Sequence, residues 1–152
     1  MEYSHNDADL IKQPIGYWSW AAGEAVVTRT RTALREEFGI TQPQWWVLNQ
    51  VSSSAEGKTR KEVTAVLQGY LDVGEGLGPE IETTVQHGWV IEDPQGRLRA
   101  TTEGRQLHDK VAGLQDRLWA ERHEGISDEE YLITLKVLQR MIHNVGGAAW
   151  HH

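Results

Sequence analysis

The stretch HGWVIEDPQGRLRATTEGRQL (residues 87–107) decides the fold. Two short runs, Trp89–Glu92 and Arg97–Ala100, flank the segment Asp93-Pro-Gln-Gly96, which is typical of a tight turn. Gly88 stands immediately before the first run, where it would end a preceding helix, and a helical apolar repeat begins at Leu107. The stretch therefore predicts a β-hairpin between two helices.

Upstream of the hairpin, the sequence predicts four helices. Pro14 suits the start of the first helix and Gly39 its end. Thr41–Gln44 and Thr59–Glu62 read as capping boxes at the start of the second and third helices. The fourth is short and is predicted to start at Pro79. Helices two to four and the hairpin form a compact unit.

Downstream of the hairpin, two long helices are predicted, separated by Gly125 and by a third capping box at Ser127–Glu130. Their apolar stripes are Leu107, Val111, Leu114 and Leu118 in one and Leu132, Leu135, Leu138 and Ile142 in the other. The terminal helices carry more apolar surface than the compact unit can cover. They therefore predict an interface, and a two-fold homodimer is its commonest form.

These elements, in this order, resemble the MarR family of bacterial transcription regulators. The resemblance is carried by FGITQPQWWVL (38–48), KTRKEVTAVL (58–67), residues 87–107 and DEEYLITLKVLQRMI (128–142). It implies a mainly α (α+β) fold, a winged helix-turn-helix with N- and C-terminal dimerisation helices. The implied segments are a flexible tail (1–13), a dimerisation helix (14–38), the winged helix-turn-helix (39–102), C-terminal dimerisation helices (103–147) and a tail (148–152).

The resemblance also implies that the protein binds double-stranded DNA. The fourth predicted helix would lie in the major groove, and Arg97 matches the wing arginine that enters the minor groove in the family. Lys58, Arg60 and Lys61 are expected at the N-terminus of the third predicted helix, where they would hold phosphate and the helix dipole would favour it too. The residues expected to contact DNA are Lys58, Arg60, Lys61, Thr83, Gln86, Arg97 and Arg99.

The distribution of charge departs from the usual family pattern. The net charge is −7, and no Lys or Arg occurs between Lys61 and Arg97. The acids in that interval are Glu62, Asp72, Glu75, Glu80, Glu82, Glu92 and Asp93. Glu80, Thr83 and Gln86, with Glu82 as a further candidate, are expected to point outward from the fourth helix. Because carboxylates repel phosphate, two functions stay open: a DNA-binding regulator, or a module of this fold with lost or altered DNA recognition that binds a small molecule or protein partner.

Tryptophan is the unusual component of the composition, with seven Trp beside one Phe. Trp18, Trp20, Trp45 and Trp46 fall on the first two predicted helices, which flank the effector pocket of the family. The resemblance thus implies a small aromatic ligand there; the alternative is that these rings fill a core poor in Phe. Adjacent helical residues diverge by about 100°, so Trp45 and Trp46 should not both face the core. Elsewhere, the core is expected to hold Trp89, and the dimer layer Trp119 and Trp150.

Several function classes find no support in the sequence. There is no Cys, which excludes disulfides and thiolate zinc sites. No metal-binding, phosphate-loop, nucleophile-elbow or dinucleotide motif occurs, so we expect no metal, no cofactor and no enzyme. The pair His151 and His152 is either native or a remnant of processing or cloning. With a polar start and no apolar run of about 20 residues, a cytoplasmic location away from membranes is expected.

Overall fold

A computed structural model of the chain describes residues 1–67 and 76–148, in two compact units, Met1–Gly39 and the chain from Ile40 onward. The helices are α1 (Asp7–Leu10), α2 (Ile15–Phe38), α3 (Gln42–Ser52), α4 (Arg60–Leu67), α5 (Leu77–Gln86), α6 (Thr102–Arg122) and α7 (Asp128–Asn144). The strands are β1 (Lys58–Thr59), β2 (Val90–Glu92) and β3 (Arg97–Ala100). The predicted mainly helical fold with a small antiparallel sheet is confirmed.

The first unit consists of α1 and α2. The one-turn helix α1 was not predicted; the Asn6 side chain caps it by accepting a hydrogen bond from the Asp9 N–H at 3.1 Å. Helix α2 begins after Pro14 and ends at Gly39, whose φ of 67° is the left-handed conformation that glycine adopts without strain. Both predicted ends of α2 are confirmed.

Reciprocal capping fixes the starts of three helices in the second unit. The Thr41 hydroxyl accepts from the Gln44 N–H at 3.2 Å, and the Gln44 side chain accepts from the Thr41 N–H at 3.1 Å. The Thr59–Glu62 and Ser127–Glu130 pairs make the same two bonds at α4 and α7. All three predicted capping boxes are confirmed. Helix α5, by contrast, begins at Leu77, two residues before the Pro79 start that the sequence predicted.

The core of the second unit lies among α3, α4, α5 and the sheet. Its buried members are Val47, Leu48, Val51, Val63, Leu67, Leu77, Ile81, Val90, Leu98 and Ala100. Trp46 and Trp89 are partly buried and pack against this cluster. The neighbour Trp45 instead stacks on His108 of α6, with ring centroids 5.2 Å apart. The prediction that Trp45 and Trp46 diverge is thereby confirmed.

The predicted hairpin is part of a three-stranded antiparallel sheet with the order β1-β3-β2. Lys58 pairs with Leu98 and Val90 pairs with Ala100. Lys58 therefore lies in a strand, and its predicted position at a helix N-terminus was wrong. Gly57 precedes β1 with a φ of 76°, and a Cβ atom there would lie 2.6 Å from the Leu98 carbonyl oxygen, so a side chain at this position does not fit.

The first turn of α6 packs against the hairpin of β2 and β3, which we call the wing. Thr101 caps it by accepting from the Gly104 N–H at 3.0 Å, and the Thr101 hydroxyl donates to the Gly88 carbonyl at 2.7 Å. A Cβ atom on Gly104 would overlap the backbone carbonyl of Trp89. The T-x-x-G spacing of residues 101–104 is therefore a packing requirement, because only glycine allows this approach.

Two further tryptophans stack on histidines. Trp89 lies against His87, at the end of α5, with ring centroids 4.4 Å apart and planes 12° apart. Trp119 lies against His123 at 4.1 Å, and it is 48% exposed. Some residues of the sequence predictions lie outside the described residues. These are Trp150, which was expected in the dimer layer, the pair His151 and His152, and the acids Asp72 and Glu75.

Candidate nucleic-acid interface

Helix α5 presents one buried side and one open side. Leu77, Ile81 and Thr84 are buried, and the Thr84 hydroxyl donates to the Ile81 carbonyl at 2.6 Å. On the other side, Gln86 is exposed, and the half-buried Thr83 donates its hydroxyl to the Pro79 carbonyl at 2.9 Å. Of the two polar residues predicted to meet bases, Gln86 thus holds its side chain in solvent, and Thr83 is bonded to its own helix.

Glu80 differs from the prediction that it points outward from α5. Its carboxylate accepts a hydrogen bond from the Gln44 amide at 2.9 Å and one from the Thr41 hydroxyl at 3.3 Å. Both donors belong to the start of α3, where the helix dipole also favours a negative charge. The expected outward orientation of Glu80 was wrong because a partner 36 residues away holds this side chain.

Arg60 links three elements of the winged unit, by which we mean α3, α4, α5 and the three-stranded sheet. Its guanidinium donates to Glu92 on β2 through Nε at 3.0 Å and Nη2 at 2.8 Å, and Nη2 also reaches Glu82 on α5 at 3.2 Å. The hydrogen bond that Arg60 donates to Glu92 is the largest cause that raises the pKa of Arg60. A residue expected to hold DNA phosphate is therefore paired with two of the acids that make this surface negative.

The two wing arginines brace the loop before β1. Arg97 donates to the carbonyls of Glu56 at 2.9 Å and Gly57 at 2.6 Å. Arg99 donates to the Ala55 carbonyl at 2.9 Å and to the Asp93 carboxylate at 2.8 Å. These bonds join the loop 55–57 to β3 and span 40 to 44 residues of the chain.

The Arg99 bond also affects the ionisation of Asp93. The guanidinium of Arg99 is the largest cause that holds the pKa of the Asp93 carboxyl below its ordinary range, and the Arg97 N–H adds to the shift. The pKa of Glu62 is lowered as well, first by its bond from the Thr59 N–H and more weakly by the charges of Arg97 and Lys58. Both acids are therefore ionised partners of the basic residues at neutral pH.

The two lysines complete the basic set. Lys58 Nζ donates to the Gln50 side chain at 2.6 Å, and Lys61 is exposed on the first turn of α4. Because β1 pairs with β3 and α4 follows β1 directly, the five basic residues that the sequence proposed lie on neighbouring elements. We call this set the basic cluster: Lys58, Arg60, Lys61, Arg97 and Arg99. The glutamate and carbonyl partners of its arginines were missed, since they lie 22 to 44 positions away in sequence and no local pattern indicates them.

The four tryptophans proposed as a ligand site divide between the two units. Trp45 stacks on His108, whose Nε2 lies 3.1 Å from the Asn49 side-chain oxygen, and Trp46 packs against the core. Trp18 and Trp20 lie on α2, 38% and 64% exposed, with their rings 5.3 and 6.3 Å from that of Tyr17. Of these four rings, Trp18 and Trp20 in the first unit are therefore exposed to solvent. In the second unit, Trp45 stacks on a histidine and Trp46 packs against the core.

Neither a cluster of metal ligands nor a membrane-spanning helix occurs among the described residues. Among residues 1–67 and 76–148, no group of three or more His, Cys, Asp or Glu side chains is placed to hold a metal ion. Within the same ranges, no helix has both the length and the apolar character needed to cross a membrane.

Comparisons with known proteins bear on the fold. The chain matches no protein-family model and no curated protein sequence. A MarR-family transcriptional regulator from Rhodococcus sp. RHA1 is 26% identical, with a TM-score of 0.67 over 91% of this chain and 97% of that one. CouR from Rhodococcus jostii RHA1, solved bound to p-coumaroyl-CoA, is also 26% identical, with a TM-score of 0.68 over 85% and 92%. The Mycobacterium tuberculosis MarR family protein Rv2887, solved in complex with DNA, shares the fold at 17% identity, with a TM-score of 0.66 over 86% and 98%.

The structural neighbours are thus consistently MarR-family transcriptional regulators, at low identity and over most of the chain. This chain has a MarR-like winged helix-turn-helix fold, which is the fold of a class of non-enzymatic DNA-binding proteins. The resemblance drawn from its sequence is confirmed.

Proposed function

We propose that the protein is a homodimeric, DNA-binding transcriptional regulator of the MarR type that responds to a small-molecule ligand. The observation that carries this proposal is the basic cluster: β1, α4 and β3 place five cations on the winged unit of a MarR-like fold. A regulator of this kind acts where the DNA is, in the cytoplasm.

The homodimer is supported by apolar surface on α2 and α7. None of the residues of α7, all of which the structure describes, is buried. Its apolar side chains include Leu132, Ile133 and Leu135, which are 49%, 53% and 38% exposed. On α2, Trp20, Ala21 and Ala25 line an open apolar groove. An exposed apolar stripe on two long helices is typical of an interface, and a second copy of the chain is the occupant that two-fold symmetry favours.

DNA binding would use the cluster in two ways. Lys58, Lys61 and the wing arginines would contact phosphate and the minor groove, while Thr83 and Gln86 of α5 would meet base edges. Arg60 would exchange Glu82 and Glu92 for phosphate oxygens, at the expense of leaving two carboxylates near the DNA. This exchange predicts weaker duplex binding than the number of cations alone suggests.

The ligand is proposed to be small and aromatic and to contact Trp18, Trp20, Trp45 and Trp46. The complex of CouR with p-coumaroyl-CoA supports the view that a relative of this fold binds an aromatic acyl group. Since the half-sites of a dimer are about 34–36 Å apart, a ligand that favours another spacing of the two α5 helices would lower DNA affinity by population shift.

A second candidate function is favoured by the Arg60 contacts. Because two glutamates already satisfy this guanidinium, the same fold could serve as a binding module with lost or altered DNA recognition that takes a small molecule or a protein partner. The two functions differ in whether the purified protein binds any duplex at low salt.

The test is a titration of a fluorescein-labelled duplex of random sequence, followed by fluorescence anisotropy at about 50 mM and about 200 mM salt. We expect binding at the lower concentration that weakens steeply at the higher one, because phosphate contacts release counterions. Lys61→Gln should weaken binding a few-fold and Glu82→Gln should strengthen it, and Lys136→Gln on α7 is the matched control. Absence of binding at low salt contradicts the regulator and supports the module.

A further inference from the structure

We propose that α5 recognises A·T base pairs in the major groove through Pro79, Thr83 and Gln86, which we call the outer stripe. At about 100° per residue, these three positions lie within about 60° of one another around the helix. The stripe is on the side of α5 opposite to the buried Ile81. This inference rests on the proposed DNA binding and adds to it the class of base pair that α5 favours.

The outer stripe is uncharged, although the two acids of α5 border it. Glu80 stands at one edge of the stripe and Glu82 at the other. The Gln44 amide donates to Glu80 at 2.9 Å, and the Arg60 guanidinium donates to Glu82 at 3.2 Å. Both bonds hold the carboxylates beside the stripe. The stripe itself therefore presents no carboxylate that could accept a hydrogen bond from cytosine N4.

Helix α5 also lacks the usual donor to guanine. Guanine is most often recognised by Arg or Lys, which donate to its O6 and N7 atoms. The structure describes all ten residues of α5, and none of them is Lys or Arg. His87 follows the helix, and its ring stacks on that of Trp89 with centroids 4.4 Å apart. The base preference of α5 is therefore determined by the uncharged stripe.

Thr83 and Pro79 offer hydrocarbon surface to a base. The Thr83 hydroxyl donates to the Pro79 carbonyl at 2.9 Å, so its polar atom is directed at its own helix. The methyl group is then the part of Thr83 available to a base, and the exposed Pro79 ring lies one turn away on the same stripe. Apolar contact in the major groove favours thymine, because its C5-methyl group is the methyl group that the four bases present there.

Gln86 supplies the polar part of the stripe. It is exposed at the end of α5. A glutamine amide carries both a donor and an acceptor, which match N7 and N6 of adenine in a bidentate pair. Thymine methyl contacts at Thr83 and an adenine contact at Gln86 are both met by A·T pairs. The stripe therefore favours such pairs over pairs that contain guanine.

The first experiment is selection of binding sites by the full chain from duplexes with about 20 random base pairs, at about 50 mM salt. The bound duplexes are sequenced, and each thymine of the selected site is then replaced by 2′-deoxyuridine, which removes only the methyl group. We expect A·T pairs in each half-site, and a thymine whose replacement weakens binding about three- to fivefold, the value of one buried methyl group.

The outcomes of this selection separate the inference from the proposed function. Binding of no duplex at low salt contradicts both. Binding without sequence preference, a site in which cytosine or guanine is required throughout, or a site in which no thymine depends on its methyl group contradicts the inference alone.

A substitution at Thr83 assigns the methyl contact to α5. Thr83→Ser keeps the hydroxyl that bonds to Pro79 and removes the methyl group, so the variant should bind the thymine and deoxyuridine duplexes equally. Thr134→Ser on α7 is the matched control, since the Thr134 hydroxyl makes the same kind of bond, to the Glu130 carbonyl at 2.9 Å. This control should keep the wild-type preference for thymine. A Thr83→Ser protein that also keeps it contradicts the inference.

Gln86→Arg tests the adenine contact by changing the base that is preferred. The selection is repeated with this variant, whose circular dichroism spectrum should match that of the wild type because the position is exposed. Guanine should replace adenine at one position of each half-site and be favoured about fivefold or more, since Arg donates to both O6 and N7. An unchanged selected sequence would show that Gln86 does not meet a base.

Discussion

Helices α6 and α7 carry similar apolar repeats but differ in what covers them. Helix α6 buries Val111, Leu114 and Leu118 within the single chain. Helix α7 has equally regular leucines, yet every one of its 17 residues is at least partly accessible to solvent in the described chain. A periodic stripe thus indicates that a helix has an apolar face, and the fold then decides whether the same chain or another one covers it.

The largest expected effect comes from breaking the uncovered stripe. Leu132→Glu combined with Leu135→Glu should weaken self-association by at least about a hundredfold, since burying one Leu is worth on the order of 1.5–3 kcal/mol and each change acts twice in a dimer. Sedimentation velocity over a range of protein concentrations measures this. Lys136→Glu on the same helix is the control and should associate normally. A wild-type chain that is a monomer at micromolar concentration would remove the basis for the dimer.

A smaller effect should come from the covered helix. Gly104→Ala forces the new methyl group into the Trp89 carbonyl, so it should lower the free energy of unfolding by roughly 1–3 kcal/mol. Urea denaturation measures the change. Gly113→Ala lies on the same helix, with nothing within 4 Å of the added Cβ, and should be neutral or stabilising by roughly 0.5–1 kcal/mol. Equal effects of the two substitutions would contradict the close approach of α6 to the wing.

The smallest expected effect concerns the polar bonds of the wing. Asp93→Asn removes the ionised partner of Arg99 and should lower the melting temperature at neutral pH. Because the folded-state pKa of Asp93 is depressed, the stability that its charge provides is present above the ordinary aspartate pKa and is lost as the pH falls below about 4.

The difference in melting temperature between wild type and Asp93→Asn should therefore shrink on acidification, as followed by circular dichroism from about pH 7 to about pH 3. Asp116→Asn, at an exposed position of α6, is the matched control. A difference that stays constant through this range would show that the charge of Asp93 contributes nothing.

Local signals predicted much of the fold. The capping boxes at Thr41, Thr59 and Ser127 and the glycine that ends α2 are formed by residues close together in sequence, so the chain alone specifies them. Strand β1 was missed because two residues carry no period, and its partners on β3 are about forty positions away. Because this strand was missed, Lys58 was expected at a helix N-terminus, whereas it lies in β1.

The candidate site was predictable in composition but not in bonding. The five basic residues and the excess of acid were predicted, and the structure has these cations on β1, α4 and β3. The sequence did not indicate that Arg60 binds Glu82 and Glu92 at once, or that the Glu80 side chain binds the start of α3. Such pairs form where elements that are distant in sequence come into contact. Those contacts arise from packing of the core, and the hydrophobic period of one element does not reveal its neighbours.

The stacking of Trp45, Trp89 and Trp119 on histidines has a spectroscopic consequence. An indole held in a fixed stack has an asymmetric environment, so these three rings contribute to the near-ultraviolet circular dichroism of the folded chain. Heating the protein should abolish this aromatic signal at the same temperature as the far-ultraviolet signal, because both depend on the packed state. Loss of the aromatic signal at a lower temperature would show that the stacks open before the backbone unfolds.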